Sequence, residues 1–122
     1  MMARRMDTKM SKQVPEITLN AENFYKASID RKLSTIRLGN KDISPGPAFL
    51  VNDENQAKIL VEIWFVNHCL LSDLELNDAR LDGLNTMEDL KAELRRCYQR
   101  PLQEREVITQ VLFNVVEEAR VA

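Results

Sequence analysis

The order of helices and strands along this chain constrains its fold more than any single motif does. Two long segments, 58–66 and 107–116, alternate between two sets of side chains as strands do. Helices and strands do not alternate one by one, so the order predicts an α+β fold with a curved, mostly antiparallel sheet and about three helices. The predicted elements are a strand at 17–19, a helix at 21–29, strands at 34–38, 48–51 and 58–66, helices at 72–82 and 86–100, and a strand at 107–116.

Capping patterns predict the ends of the two later helices. Ser72 and Glu75 match a capping box, which predicts that the first of these helices starts there. Asp82 and Gly83 form a turn that ends it, and Thr86 opens the next helix. Apolar residues recur at helical spacing along that second helix and predict packing against the core: Met87, Leu90, Leu94 and Cys97.

Several side chains with potential chemistry are predicted to be structural instead. Trp64 lies on the same strand face as Leu60 and Val66, which favours core packing over stacking on a base. Cys69 and Cys97 lack CxxC spacing, so the sequence predicts two buried, reduced thiols. Only His68 could be a third ligand, and we therefore expect neither a metal site nor a cofactor.

Charge is unevenly distributed in a chain whose formal net charge is −2. Residues 26–42 carry five cations and two acids, while residues 53–94 carry ten acids and three bases. The pattern predicts a basic patch on an acidic body, which argues against wide contact with a nucleic acid. No apolar run approaches the roughly 20 residues that span a membrane, so we expect a cytoplasmic protein. Residues 1–16 are predicted to be a flexible basic tail, 17–117 the domain, and 118–122 a C-terminal tail.

The segment 31–37, Arg-Lys-Leu-Ser-Thr-Ile-Arg, is the strongest candidate for a functional site. Lys32 falls in a helix-to-strand connection, and Thr35 comes at the start of the strand. Alternation places Thr35 and Arg37 on one face and Ser34 on the other. An amine, a hydroxyl and a guanidinium gathered in this way suit an anionic or carbonyl-bearing ligand. A run of cations beside a strand is also typical of a solvated surface.

The ordered set of motifs resembles the ASCH family, small β-barrel domains similar to the PUA domains that bind RNA. The resemblance covers residues 19–116 and is closest to small bacterial members that include acetylcytidine amidohydrolases. It implies a PUA-like β-barrel. The features that carry it are Arg31-Lys32-x-x-Thr35-Ile36-Arg37, the Gly39 turn, the 58–66 strand, Ser72-Asp73-Leu74, Asp82-Gly83-Leu84, Met87-Glu88-Asp89-Leu90 and the 107–116 strand.

Residue by residue, the resemblance implies roles in catalysis for three side chains. Lys32 matches a lysine that acts as general base, and Thr35 matches a threonine that acts as nucleophile. Asp82 stands where the family has a glutamate that donates a proton, and its side chain is one methylene shorter. The predicted ligand-binding residues are Arg31, Ser34, Arg37 and Lys41.

Two functions from different classes follow. The first is a binding module whose basic cleft accepts RNA or a modified nucleoside or base. The second is an amidohydrolase that deacylates a small acylated nucleoside through Lys32, Thr35 and Asp82. The acidic body favours a small ligand, and the aspartate in place of a glutamate argues against assuming the hydrolase activity.

Overall fold

The computed structural model describes residues 14–116. Most of the predicted N-terminal tail and all of the predicted C-terminal tail lie outside the described residues. No helix within the described range is long and apolar enough to span a bilayer. The elements in chain order are β1 (Glu16–Leu19), α1 (Ala21–Ser28), β2 (Ser34–Leu38), β3 (Gly46–Asn52), β4 (Lys58–Leu70), a 3-10 turn (Leu71–Asp73), α2 (Leu76–Leu81), α3 (Met87–Tyr98) and β5 (Val107–Val115).

One five-stranded sheet organises the described chain, in the order β1-β3-β4-β5-β2. β1 and β3 are parallel, and the other three neighbouring pairs are antiparallel. The sheet curls into a half-barrel, which confirms the predicted α+β fold with a curved, mostly antiparallel sheet. The strand bounds at 34–38 and 107–115 differ from the predicted ones by at most one residue.

Alternation along β5 divides the apolar side chains between two clusters. Val111, Phe113 and Val115 pack into a core that includes Ala27 of α1. Ile108 joins a second cluster, which also contains buried side chains of β2, α2 and α3. The helices α2 and α3 are therefore fixed against the end of the sheet that carries β2, and this places them beside the predicted functional segment.

Two local predictions were wrong. α2 begins at Leu76 because the Glu75 N–H donates to Asp78 Oδ2 at 2.8 Å, while the predicted capping box at Ser72 falls within and just after a separate 3-10 turn. Trp64 is 55% exposed and does not pack in the core. Trp64 follows the exposed Glu62 on the face opposite the buried Val61 and Ile63, and this face is not covered as predicted. The register of β4 against β5 then shifts between Ile63 and Phe65, and this β-bulge turns Val66 toward the core instead of leaving it beside Trp64.

Candidate functional site

A pocket of about 330 Å³ opens where the helices meet the β2 edge of the sheet. Its walls come from the end of β1 and the start of α1, from β2, from the turn after α2, and from the last turns of α3. Three cationic and three acidic side chains line it, so the pocket carries balanced charge rather than the predicted basic character. These six are Lys32, Arg37, Arg96, Asp53, Asp82 and Glu93.

A buried ion pair lies in this pocket. Lys32 Nζ donates to Asp82 Oδ1 at 2.7 Å, and the two residues are only 2% and 5% exposed. Ser34 Oγ donates to the same oxygen at 3.1 Å. Asp82 therefore accepts two hydrogen bonds from the predicted segment. The shorter aspartate side chain reaches Lys32 directly.

Backbone contacts hold the two halves of the ion pair together. The Leu33 N–H donates to the Leu81 carbonyl at 2.7 Å, which ties the connection before β2 to the end of α2. Gly83 follows with a φ of +88°, a conformation that favours glycine. A Cβ at this position would lie 2.8 Å from the Arg31 carbonyl oxygen. A glycine is thus required for α2 to end close enough to place Asp82 beside Lys32.

Burial gives Asp82 unusual acid–base properties. Removal from water raises the pKa of the Asp82 carboxyl, although the Lys32 charge and hydrogen bonds from Lys32 and Ser34 act in the opposite direction. The net result is a pKa above the ordinary aspartate value. Asp82 can therefore take up a proton at a higher pH than an exposed aspartate can.

Thr35 and Arg37 both line the pocket, in keeping with their predicted common face. The Thr35 hydroxyl makes no hydrogen bond within residues 14–116. Arg37 Nη2 donates to the Thr18 carbonyl at 2.7 Å, whereas the buried Nε has no partner among the described residues. Burial lowers the pKa of Arg37, which remains cationic at physiological pH. The guanidinium thus retains hydrogen-bonding capacity at the pocket.

A second polar cluster on α3, which was not predicted, forms another part of the pocket wall. Glu93 Oε2 accepts from Asn23 Nδ2 at 3.0 Å and from Cys97 Sγ at 3.7 Å, and its Oε1 pairs with Arg96. Burial raises the pKa of Glu93, but the hydrogen bonds from Asn23 and Arg96 outweigh it and leave the pKa below the ordinary value. Glu93 is therefore a carboxylate that keeps its charge and is held in position by these hydrogen bonds.

Cys97 is exposed and lines the pocket, which corrects the prediction of a buried thiol. Partial burial of the thiol and the nearby Glu93 raise the pKa of Cys97, which disfavours the reactive thiolate. The apolar stripe of α3 led to the wrong assignment, because Leu90 and Leu94 are buried and Cys97 continues their spacing. The spacing of Glu93 and Cys97, four residues apart, was the available signal for a polar face.

Three of the four predicted ligand-binding residues, Arg31, Ser34 and Lys41, lie outside the pocket lining. Ser34 is buried beneath it, where its hydroxyl donates to Asp82. Arg31 is exposed. Lys41 is also exposed, and its backbone is held by Thr109 Oγ1 at 2.8 Å and by His68 Nε2 at 2.9 Å. The structure therefore brings Lys32, Thr35, Arg37 and Asp82 together, and it leaves Arg31 and Lys41 elsewhere on the surface.

Within the part of the chain that the structure describes, no three His, Cys, Asp or Glu side chains come together as metal ligands would.

The sequence matches no protein-family model and no curated protein, but the fold matches solved structures. The ASCH domain from Lactobacillus crispatus JV V101 aligns with a TM-score of 0.64 at 12% identity, over 88% of this chain and 84% of that one. Protein EF3133 from Enterococcus faecalis V583, of family DUF984, has a TM-score of 0.64 at 12% identity, over 93% and 88% of the two chains. Hypothetical protein PH0355 has a TM-score of 0.59 at 13% identity, over 83% and 97%. The resemblance to ASCH domains is confirmed for the fold.

The close approach at Gly83 yields a first prediction. Gly83→Ala introduces a Cβ against the Arg31 carbonyl at a positive φ, so we expect it to lower the free energy of unfolding by more than about 1 kcal/mol. Gly39→Ala is the matched control, since Gly39 also has a positive φ (+94°) but no atom within 4 Å of an added Cβ. Urea denaturation measures both variants. Equal losses for the two would show that the contact between Gly83 and Arg31 is unimportant.

Proposed function

Because this chain has the fold of an ASCH domain, we propose that its pocket binds a modified nucleoside or nucleobase. The observation that carries the proposal is the buried Lys32–Asp82 pair in a pocket that Thr35 and Arg37 also line. The pocket volume of about 330 Å³ lies at the lower end of the range for small-ligand sites. A ligand of the size of a single nucleoside suits such a pocket.

The charges of the pocket support a single nucleoside over an RNA strand. A site that follows a nucleic acid backbone needs several unpaired cations to neutralise successive phosphates. Here Lys32 is paired with Asp82, and Arg96 is paired with Glu93. Of the three lining cations, Arg37 alone has no carboxylate partner among the described residues. One such cation suits one carbonyl or oxyanion group on the ligand.

The two polar clusters supply complementary hydrogen-bonding groups for a base edge. Arg37 donates and Thr35 can donate or accept, whereas Glu93 only accepts. Nucleobases carry carbonyl oxygens and N–H groups on the same edge, so they can use both kinds of partner. We propose that a ligand carbonyl contacts Arg37 and that a ligand N–H contacts the Glu93 carboxylate.

A second candidate, the deacylation of an acylated nucleoside, is supported by the acid–base pairing of Lys32 and Asp82. The Lys32 ammonium donates to Asp82 Oδ1 at 2.7 Å, so a proton can pass along this hydrogen bond to the carboxylate, whose pKa is raised by burial. The resulting neutral amine can accept the Thr35 hydroxyl proton while Thr35 Oγ1 forms a bond to the acyl carbon. The protonated Asp82 then gives its proton to the departing amine as the carbon–nitrogen bond breaks. Water afterwards cleaves the acyl-threonine ester.

The binding proposal predicts a specific loss at Arg37. Arg37→Ala removes a charged donor, so we expect it to weaken binding of acetylcytidine by about 1.5–3 kcal/mol, as measured by calorimetry. Arg31→Ala is the matched control, because Arg31 belongs to the same segment but lies outside the pocket lining, and it should leave the affinity unchanged. Equal effects of the two substitutions would contradict binding in this pocket. Thermal unfolding of each variant shows whether the fold is retained.

The nucleophile distinguishes binding from hydrolysis. In an amidohydrolase, Thr35→Ala removes the attacking oxygen and abolishes acetate release with little change in affinity, and Thr35→Ser retains partial activity. In a binder, Thr35→Ala costs about 0.5–1.5 kcal/mol of affinity. The hydrolase rate should fall as the pH drops below the raised pKa of Asp82, because a carboxyl that already carries a proton cannot take one from Lys32. Wild-type protein that binds acetylcytidine and releases no acetate would exclude the hydrolase.

A further inference from the structure

The second half of β4 has a neighbouring strand on one side only. β3 pairs with β4 as far as Ile63, which lies opposite Gly46. Beyond that point β4 continues to Leu70 and pairs only with β5. Within residues 14–116, the edge of the sheet from Trp64 to Leu70 therefore has no neighbouring strand on the β3 side. The Leu70 N–H at its end donates to Asp73 Oδ2 at 2.9 Å, and the His68 side chain contacts the Lys41 carbonyl.

Hydrogen-bond alternation shows which backbone groups point out of this edge. The Phe113 N–H donates to the Leu33 carbonyl, so the backbone N–H and C=O groups of Phe113 point toward β2. Backbone groups alternate along a strand, and those of Leu112, Gln110 and Ile108 therefore point toward β4. Their partners across the ladder are Phe65, Asn67 and Cys69. Val66 and His68 consequently direct their N–H and C=O groups away from β5, and no described residue pairs with them.

The side chains along this edge lack the usual protection against strand pairing. Natural edge strands carry charges, proline or a covering segment that prevents association. Residues 63–72 contain no Asp, Glu, Lys or Arg and no proline. Trp64 is 55% exposed, Phe65 46% and Leu70 37%, so apolar surface lies beside the unpaired backbone.

We propose that this edge pairs with the same edge of a second copy of the chain. An antiparallel pairing around a two-fold axis at Asn67 sets Val66 opposite His68 of the second copy, which lets both exchange N–H···O=C hydrogen bonds. The same register sets Trp64 opposite Leu70 of the second copy. No charged residue lies between these positions, so the segment is complementary to itself.

The resulting dimer has a continuous sheet that runs through both copies. None of the residues 64–70 lines the pocket described above, so the dimer goes beyond the proposed function and does not depend on it. A failure of ligand binding would leave this proposal untouched, and the reverse also holds.

Sedimentation of the full chain across a dilution series tests the proposal. We expect the wild-type protein to double its mass as its concentration rises. Trp64 is the sole tryptophan, so its emission should shift to shorter wavelength in step with that change, as the indole leaves water. A protein that is monomeric at every concentration would overturn the proposal. An extended peptide from a different protein would then be the partner for this edge.

Charge substitutions test the register. Trp64→Glu and Leu70→Lys each bury an unpaired charge at the interface, and each variant alone should be monomeric. An equimolar mixture of the two should form a heterodimer, because the new carboxylate at position 64 then faces the new ammonium at position 70. Tyr25→Glu is the matched control at an exposed aromatic residue of α1 and should remain dimeric.

Two outcomes would overturn the proposed pairing. Persistent dimers in both single variants would place the contact elsewhere on the protein. A mixture that stays monomeric would refute the register around Asn67. Circular dichroism of the single variants, expected to match the wild type because both side chains are exposed, excludes misfolding as the cause of lost association.

Discussion

The ion pair between Lys32 and Asp82 is the interaction on which the candidate site depends. Two buried charges lose their hydration, and their attraction repays this only with close geometry and further hydrogen bonds. The 2.7 Å contact and the hydroxyl of Ser34 supply both conditions. The geometry in turn requires α2 to end against the connection before β2. The Leu33–Leu81 hydrogen bond and the absence of a side chain at Gly83 make that approach feasible.

Under the proposed binding function, this ion pair determines which charged groups of the pocket remain for a ligand. Neutralisation of Lys32 by Asp82 leaves Arg37 to meet a ligand oxygen, while the carboxylate of Glu93, fixed by Asn23, accepts donors. A pocket with both kinds of group favours a polar, nearly neutral molecule over a polyanion. The same pair can also exchange a proton internally, which links the binding and hydrolytic hypotheses through one set of atoms.

Local sequence signals predicted the parts of the structure that local physics determines. Alternation located β2 and β5, the Thr86 cap located α3, and the glycine at 83 located the end of α2. Signals that depend on tertiary context were misleading. Alternation does not show whether the second face of a strand is covered, and it cannot reveal the β-bulge that separates Trp64 from Val66, so the exposure of Trp64 was missed. Glu93 was missed because the apolar stripe of α3 gives no sign that the adjacent face of the same helix lines a pocket.

The most direct test of the central role of the ion pair is a double-mutant cycle on the free energy of unfolding. Lys32→Met and Asp82→Asn each leave a buried partner without its counter-charge, so each should cost about 3–5 kcal/mol. The double variant removes both charges and should cost less than the sum of the two, and less than the more damaging single change. Two small, additive losses would contradict the account, since they would show that the pair does not hold this part of the fold together.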